Sequence, residues 1–465
     1  MAKKLKLRGK DLIQIGYPQG PVIGTAISII ARYYKRSSYR EATDLLKDVL
    51  ENQDKYRDDL IFNPIVQALE AEKKSEFVPL REEGMSYLAY GANQIEQGAR
   101  DQMDIAARLP VAVQAALMPD AHQGYGLPIG GVLATENAVI PYGVGVDIGC
   151  RMCLTVYDLD SELLDTERKK FAGLLEQNTR FGFKAFDKPL HDDLFDRSEF
   201  REIPKVKSLL HKARTQIGSS GGGNHFVEFG AAKITDPNNE FKVPPGAYLA
   251  VLSHSGSRGF GANIANHYTK LAMQTTRLPK EAKHLAWLDL DSEDGQEYWL
   301  AMNLAGDYAS ACHDHIHRRM ADSLGLQPVM KVENHHNFAW KEQTADGREV
   351  IVHRKGATPA GKGVLGIIPG SMTAPGYIVR GKGEPMSLNS ASHGAGRQMS
   401  RTKAKNNLTQ KILRNTLAEH GVHLIGGGLD EAPQAYKDIR KVMAAQTDLV
   451  EVVGEFLPKI VRMEG

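Results

Sequence analysis

Several histidines of this chain stand in short polar, glycine-rich segments of a kind that a hydrophobic core does not need. His225 follows a run of glycines and an asparagine, His254 opens the segment HSGSRG, and His336 ends the triplet NHH. Asp147 and Cys150 add a carboxylate and a thiol within the segment DIGC. Imidazole, thiolate and carboxylate are the side chains that hold transition metals in proteins. The sequence therefore predicts that these five side chains form a metal site.

The ligand types leave the identity of the metal open. Cysteine with histidine favours zinc, whereas carboxylate and phosphate oxygens favour manganese or magnesium. Two metal ions that share one thiolate would also use these ligands, and a two-metal clamp suits phosphoryl transfer. A buried cysteine beside a capping aspartate is the structural alternative for DIGC taken alone.

Two further clusters contain metal-binding residue types. Cys150 and Cys153 form a CxxC, but no second CxxC completes a zinc ribbon, and we expect no structural zinc site there. The segment CHDHIH, residues 312–317, falls inside a predicted helix, where His313 and His317 share a face. We predict that this face is solvated.

A phosphate-binding pattern surrounds His393 in the segment SHGAGR. Its two glycines leave the backbone open to a phosphate, and Arg397 supplies a guanidinium for phosphate oxygens. A neutral imidazole can attack phosphorus and form a covalent phosphoramidate. With the metal ligands, the segment predicts metal-assisted phosphoryl or nucleotidyl transfer, and a solvated helix face is the alternative for the basic residues that follow it. No P-loop or dinucleotide fingerprint is present.

Length and composition bound the class of protein. The chain has 465 residues, 42% of them hydrophobic, a formal net charge of +2 and 3 cysteines. This suffices for a large core and argues against a disulfide scaffold. We find no apolar run long enough for a membrane span and no convincing signal peptide, so we expect a cytoplasmic protein.

The chain changes character near residue 85. Residues 1–84 have a helical pattern, with a helix–turn–helix over 11–30 and a capping box from Ser38 to Glu41. Beyond them, β-branched runs at 248–252, 329–332, 350–352 and 364–368 predict strands, and 300–324 and 397–420 predict helices. We therefore predict an α+β protein with a helical extension, residues 1–84, and a catalytic domain, residues 85–465.

Motifs in this second region resemble, in order, those of the RtcB family of RNA-splicing ligases. The matching segments are 119–126, 128–131, 147–150, 223–228, 254–259, 336–337, 353–358, 369–372, 393–397 and 431–437. The resemblance implies a single large domain of packed β-sheets flanked by helices. It implies a GTP-dependent RNA ligase that joins RNA ends carrying a 2′,3′-cyclic phosphate or 3′-phosphate to 5′-hydroxyl ends, in RNA repair or tRNA splicing.

The resemblance also implies roles for particular residues. His393 is the nucleophile that becomes guanylylated, and two Mn²⁺ ions are held by Asp147, Cys150, His225, His254 and His336, with Cys150 shared. The implied nucleotide contacts are Asn224, Phe226, Glu228, Asn337, Pro369, Gly370, Ser371, Met372, Gly394, Ala395, Gly396 and Arg397. The implied RNA or phosphate contacts are Asp120, Arg258, Arg354, Lys355 and Tyr436. We expect a monomer; an accessory activator protein is left open.

Three positions differ from the family pattern: Arg151, Gly376 and the penultimate Glu464. Gly376 and Glu464 leave open both the base preference and an alternative function. That alternative is a metal-dependent cyclic phosphodiesterase or phosphatase that acts on RNA ends without guanylylation. A non-catalytic RNA-binding relative is disfavoured, because every metal ligand and His393 are present.

Overall fold

The computed structural model describes residues 7–18, 20–35, 37–74, 77–186, 190–344 and 346–465. The helices are α1 Gly9–Gln14, α2 Pro21–Tyr33, α3 Tyr39–Glu51, α4 Asn63–Lys74, α5 Gln97–Ala107, α6 Pro141–Val144, α7 Leu163–Thr166, α8 Arg168–Asn178, α9 Glu199–Glu202, α10 Pro204–Gln216, α11 Arg258–Thr275, α12 Glu293–Leu324, α13 Arg401–Asn407, α14 Gln410–Glu419 and α15 Ile439–Ala444. The strands are β1 Leu88–Ala89, β2 Ala112–Tyr125, β3 Leu127–Thr135, β4 Ala138–Val139, β5 Arg151–Asp160, β6 Phe226–Ile234, β7 Gly246–Ser255, β8 Leu288–Asp289, β9 Met330–His335, β10 Asn337–Gln343, β11 Glu349–Lys355, β12 Ala357–Pro359, β13 Leu365–Ile368, β14 Gly376–Gly381, β15 Ser390–Ser392, β16 His423–Ile425 and β17 Val450–Met463. These elements form two compact units, Met1–Val78 and Pro79–Gly465.

The first unit is a small helical bundle with its own core. Leu12, Val22, Leu46 and Ile65 are fully buried in one apolar cluster formed by α1–α4. The predicted capping box is confirmed, because Ser38 Oγ accepts from Glu41 N–H and Glu41 Oε2 accepts from Ser38 N–H. The predicted helix–turn–helix is confirmed by α1 and α2, although Gln19 of the turn lies outside the described residues.

Leu46→Ala is expected to destabilise the first unit by about 2–5 kcal/mol, because it leaves a cavity in this small core. Leu60→Ala is the matched control, since that side chain is 98% exposed. Urea unfolding followed by far-ultraviolet circular dichroism measures the change. All 3 tryptophans, at 287, 299 and 340, lie in the second unit, so their fluorescence reports on that unit separately. Equal midpoints for the two variants would contradict a cooperative core in α1–α4.

The second unit is built from two large sheets that share a core. One sheet has the strand order β1-β2-β3-β11-β10, and the other has the order β13-β14-β17-β6-β7-β5-β9, with β16 beside β17. Val132 and Val352 of the first sheet join Ile368 and Val379 of the second in one apolar cluster. The predicted α+β class, with packed sheets, flanking helices and an N-terminal helical segment, is confirmed.

The second sheet is covered on its other face by helices. Ile316 and Met320 of α12 are fully buried against Val251 of β7 and Phe229 of β6. Strands alternate their side chains between the two faces of a sheet, so each of these strands contributes to two different cores. In the described part of the chain, no helix combines the length and apolar character needed to cross a membrane.

Two sequence predictions about helices are corrected. Residues 397–420 form not one helix but α13 and α14, because Ser400 and Thr409 each cap a new helix through the side-chain oxygen. The predicted solvated face at 312–317 is wrong, since His313 and His317 are buried against the sheet. Helix α12 has 32 residues and buries side chains along most of its length, from Tyr298 to Met320, so it is a central element rather than a surface one.

Candidate metal centre and active site

The ends of four neighbouring strands bring the predicted metal ligands together. Cys150 directly precedes β5, His225 directly precedes β6, His254 lies in β7 and His336 directly follows β9. Strand β5 pairs with both β7 and β9, so that Arg151 stands opposite Ser255 on one side and His335 on the other. Because β6 also pairs with β7, all four side chains gather at one edge of this sheet.

The donor atoms of the five side chains approach one another closely. Cys150 Sγ lies 3.4 Å from His225 Nε2 and 3.1 Å from His254 Nε2. Asp147 Oδ2 lies 3.0 Å from His225 Nε2, and His336 Nε2 lies 3.2 Å from His254 Nε2. Cys150 therefore stands between a carboxylate–imidazole pair and an imidazole pair. In this arrangement one thiolate can contact two cations.

The chemistry of the donor set fits a transition metal. His254 Nδ1–H donates to the carbonyl of Asn224 at 3.0 Å, which directs the Nε2 lone pair into the cluster. Burial lowers the pKa of His254 to about 3, so its imidazole is neutral. Burial also raises the pKa of the Cys150 thiol well above its usual value, so a thiolate here requires a compensating cation.

His393 lies next to this cluster and is oriented by a buried carboxylate. Its ring centroid is 5.0 Å from that of His336. Asp120 Oδ2 lies 2.7 Å from His393 Nδ1 and accepts the His393 backbone N–H at 3.1 Å. Burial alone would raise the pKa of Asp120, but the hydrogen bond to His393 and the charges of His393, Lys437 and His122 together outweigh it and lower the pKa. An ionised Asp120 holds the proton of His393 on Nδ1 and leaves the lone pair of Nε2 free.

The sequence predicts that Asp120 contacts RNA or phosphate. In the structure its side chain contacts His393 instead. It is fully buried and lies 273 positions from His393 in sequence. Gly396 permits the approach: it has a φ of 71°, and an added Cβ would stand 2.2 Å from the Asp120 carbonyl oxygen. The segment PDAHQGYG named this residue, but nothing in its spacing indicated the partner.

If His393 is the nucleophile that the sequence predicts, Asp120→Asn is expected to slow nucleotidyl transfer to it at least about 10²-fold, because an amide N–H facing Nδ1 favours the tautomer protonated on Nε2. The rate of the single covalent step should fall while the dissociation constant for nucleotide stays unchanged. Single-turnover labelling at several nucleotide concentrations separates the two quantities. An unchanged rate with weaker nucleotide binding would mean that Asp120 serves the nucleotide rather than His393.

A cavity of about 290 Å³ opens beside His393, His254 and His336. Most of the predicted nucleotide contacts line it: Asn224, Phe226, Glu228, Pro369, Gly370, Ser371, Met372, Gly394, Ala395, Gly396 and Arg397. Burial raises the pKa of Glu228 well above its usual value, which favours the protonated form of this carboxyl group. The cavity places a nucleotide-sized volume against both the histidine and the metal ligands.

Two acidic residues pair with the arginines that line this cavity: Glu431, from the motif segment 431–437, and Asp430, which the sequence did not single out. Arg397 Nη1 lies 3.4 Å from Glu431 Oε2, and its guanidinium stacks on the ring of Tyr436 at 5.2 Å. Arg401 binds the same Glu431 and also Asp430, at 2.9 Å from the latter. Arg397 is thus held in place before any phosphate arrives, which suits a preorganised anion contact.

Four other predicted contacts lie elsewhere. Asn337 is not among the residues that line the cavity; its Oδ1 accepts from Gly356 N–H at 2.8 Å. Arg258 Nε donates to Ser219 Oγ at 3.2 Å. Arg354 is 1% exposed, paired with Glu342 and held by two further acceptors, so its predicted RNA contact is corrected to a structural role. Lys355 is buried and donates to two backbone carbonyls, which likewise removes its ammonium group from solvent.

Comparison with known proteins identifies relatives of the second unit. A family model described as "tRNA-splicing ligase RtcB" matches residues 102–464. The chain is 35% identical over 394 residues to "RNA-splicing ligase RtcB" of Escherichia coli (strain K12), covering 77% of this chain and 92% of that protein. It is 32% identical over 422 residues to "RNA-splicing ligase RtcB" of Mycobacterium tuberculosis, covering 76% and 97%. It is 30% identical over 401 residues to "tRNA-splicing ligase RtcB" of Thermococcus kodakarensis, covering 70% and 82%.

Proposed function

The chain belongs to the RtcB family, and from this premise we propose that it is a GTP- and Mn²⁺-dependent RNA ligase. It joins RNA ending in a 2′,3′-cyclic phosphate or 3′-phosphate to RNA with a 5′-hydroxyl, in RNA repair or tRNA splicing. One observation carries the proposal: His393, hydrogen-bonded to the buried Asp120, borders the cavity together with His254 and His336, whose donor atoms cluster with those of Cys150, His225 and Asp147. Metal-activated water can hydrolyse RNA ends without a covalent nucleophile, so a histidine whose Nε2 is free beside the candidate metal ligands favours the ligase over the hydrolase.

The residues suggest how the reaction proceeds. His393 Nε2 attacks the α-phosphorus of GTP, and pyrophosphate leaves. The RNA 3′-phosphate then attacks the guanylylated histidine and takes over GMP, after which the 5′-hydroxyl attacks that phosphate and GMP leaves. Arg397 and the backbone of Gly394 and Gly396 hold phosphate oxygens. Two bound Mn²⁺ ions would neutralise charge on the transferring groups and activate the attacking oxygens.

We propose the metal ligands and cavity residues of the preceding section for these roles. Asp147, Cys150, His225, His254 and His336 hold the ions. The nucleotide contacts are those that line the cavity. We further propose that residues 1–84 are an extension to a catalytic domain of residues 85–465, an assignment supported by a family match that begins at residue 102. The cysteines, all free, fit a cytoplasmic compartment.

The test is covalent labelling with α-labelled GTP and Mn²⁺, with ATP in parallel, followed by a denaturing gel. A label that is lost in acid and depends on GTP supports the ligase and its base preference. A label from ATP alone would overturn the choice of GTP. It would attribute the changed base preference to Glu464, whose carboxylate lies against Gly222 in the loop before Asn224. No label from a folded, metal-loaded protein that still opens cyclic phosphates would replace the ligase with the phosphodiesterase.

A further inference from the structure

A second cluster of metal-binding side chains lies on the opposite face of the sheet that carries the first. Ser253 and His254 are consecutive in β7, and successive side chains of a strand point to opposite faces. His254 belongs to the candidate metal centre, whereas Ser253 faces α12. Cys153 stands directly opposite Ser253 in the β5–β7 ladder.

Helix α12 completes this second cluster. His313 and His317 are one turn apart and both are buried against the sheet. One donor atom from each of Cys153, His313 and His317 lies within 4.8 Å of the other two. A thiol from a strand and two imidazoles from a helix thus share one interior position.

Hydrogen bonds place the Ser253 hydroxyl between the two imidazoles. His313 Nε2–H donates to the Ser255 carbonyl at 3.2 Å, which leaves His313 Nδ1 to accept from Ser253 Oγ–H at 2.6 Å. His317 Nδ1 lies 2.8 Å from Thr155 Oγ1, and His317 Nε2 lies 2.8 Å from the same Ser253 Oγ. His313 Nδ1 and His317 Nε2 therefore approach one hydroxyl group from two sides.

Each neutral imidazole has one nitrogen lone pair that a cation can accept. Burial lowers the pKa of His317 to about 3 and also lowers that of His313, so both rings are neutral near neutral pH. A cation held between the rings and the Cys153 thiol would accept the lone pairs of His313 Nδ1 and His317 Nε2. The outer nitrogens, held by a carbonyl and a hydroxyl, have the partners that orient metal-bound imidazoles.

We propose that Cys153, His313 and His317 bind a single Zn²⁺ ion, with the Ser253 hydroxyl at the fourth position. The ligand set is soft, and Zn²⁺ accepts tetrahedral sulfur and nitrogen ligands at about 2.3 and 2.0–2.1 Å. Binding displaces the Cys153 thiol proton to solvent and forms the Zn–S bond, with no change of oxidation state. The ion would join α12 to β5 and β7, on the face of the sheet opposite His254 of the candidate metal centre.

Cobalt titration of the Cys150→Ala protein tests the site, because that variant has lost the thiolate of the first centre. Co²⁺ alone is added to the metal-free full-length chain, and thiolate-to-cobalt charge-transfer absorption is recorded. We expect a band that saturates at one equivalent and disappears in Cys150→Ala/Cys153→Ser and in Cys150→Ala/His317→Gln. Cys150→Ala/Cys312→Ala is the matched control, since Cys312 is a buried thiol on the same helix, and it should keep the band.

Circular dichroism first establishes that each variant is folded, and the two ligand substitutions provide independent tests should one of them fail to fold. A folded Cys150→Ala protein without the band overturns the proposal and leaves a hydrogen-bonded histidine pair. A band that survives Cys153→Ser and is lost in the Cys312→Ala control also overturns it. This proposal concerns a different ion from the ligase mechanism, so the labelling experiment and the cobalt titration can fail separately.

Discussion

His393→Ala is expected to abolish covalent labelling by GTP and to reduce RNA joining on the order of 10⁴-fold or more, because no other group can carry the nucleotide. The imidazole is the only nucleophile of the cavity among the described residues that is placed by both a carboxylate and the metal ligands: Asp120 lies 2.7 Å from its Nδ1, and the His336 ring lies 5.0 Å from its ring. Alanine leaves the remaining cavity lining in place. Nucleotide binding, measured by equilibrium dialysis, should therefore persist.

The matched control is His420→Ala, which removes an exposed imidazole at the end of α14. It should label and ligate as the unsubstituted chain does. RNA joining that persists in folded His393→Ala at more than a tenth of the original rate would contradict the covalent mechanism. A label that moves to another residue would identify a different nucleophile.

Cys150→Ala is expected to weaken Mn²⁺ binding at least about 100-fold and to remove RNA joining, because it deletes a ligand within reach of both halves of the cluster. The sulfur lies 3.4 Å from His225 Nε2 and 3.1 Å from His254 Nε2, so it can reach an ion held by either imidazole. Mn²⁺ binding is measured by electron paramagnetic resonance of the free ion, and ligation is measured at saturating Mn²⁺.

Cys312→Ala provides the comparison for this second experiment, since it deletes a buried thiol outside the metal centre. Its Mn²⁺ affinity and ligation rate should match those of the original chain. Two outcomes would count against a shared thiolate. One is an unchanged Mn²⁺ affinity in Cys150→Ala. The other is the loss of one equivalent of bound Mn²⁺ while RNA is still ligated at the original rate.

More of the candidate site than of the fold could be predicted from short segments of the sequence. Each metal ligand could be named because its residue type and its glycine-rich surroundings are visible within a few positions, as with Asp147 and Cys150. Strand and helix positions such as 248–252 and 300–324 were also predictable, since they depend on short-range hydrophobic patterns. The break between α13 and α14 was missed, because Thr409 is an ordinary polar residue until its side chain caps a helix.

Charged side chains were harder to place, because their role depends on partners that are distant in sequence. Arg354 looked like a phosphate contact beside a lysine and a glycine, but Glu342 and the loop at Leu388 enclose it. Arg397 does reach the cavity, but Glu431 holds it there. The position of the acidic partner in the tertiary structure therefore decides whether an arginine is enclosed or is held where it can bind phosphate.

The sequence by itself determined which chemical groups are available: five candidate metal ligands, a histidine in a glycine-rich segment, and family motifs in order. Only the tertiary structure decided which of these groups meet. Asp120 and His393 are 273 positions apart and share a hydrogen bond, while His254 and Ser253 are neighbours and serve opposite faces of one sheet. The reason is physical: residue type sets chemical capacity locally, whereas strand register and the alternation of side chains set distance across the whole chain.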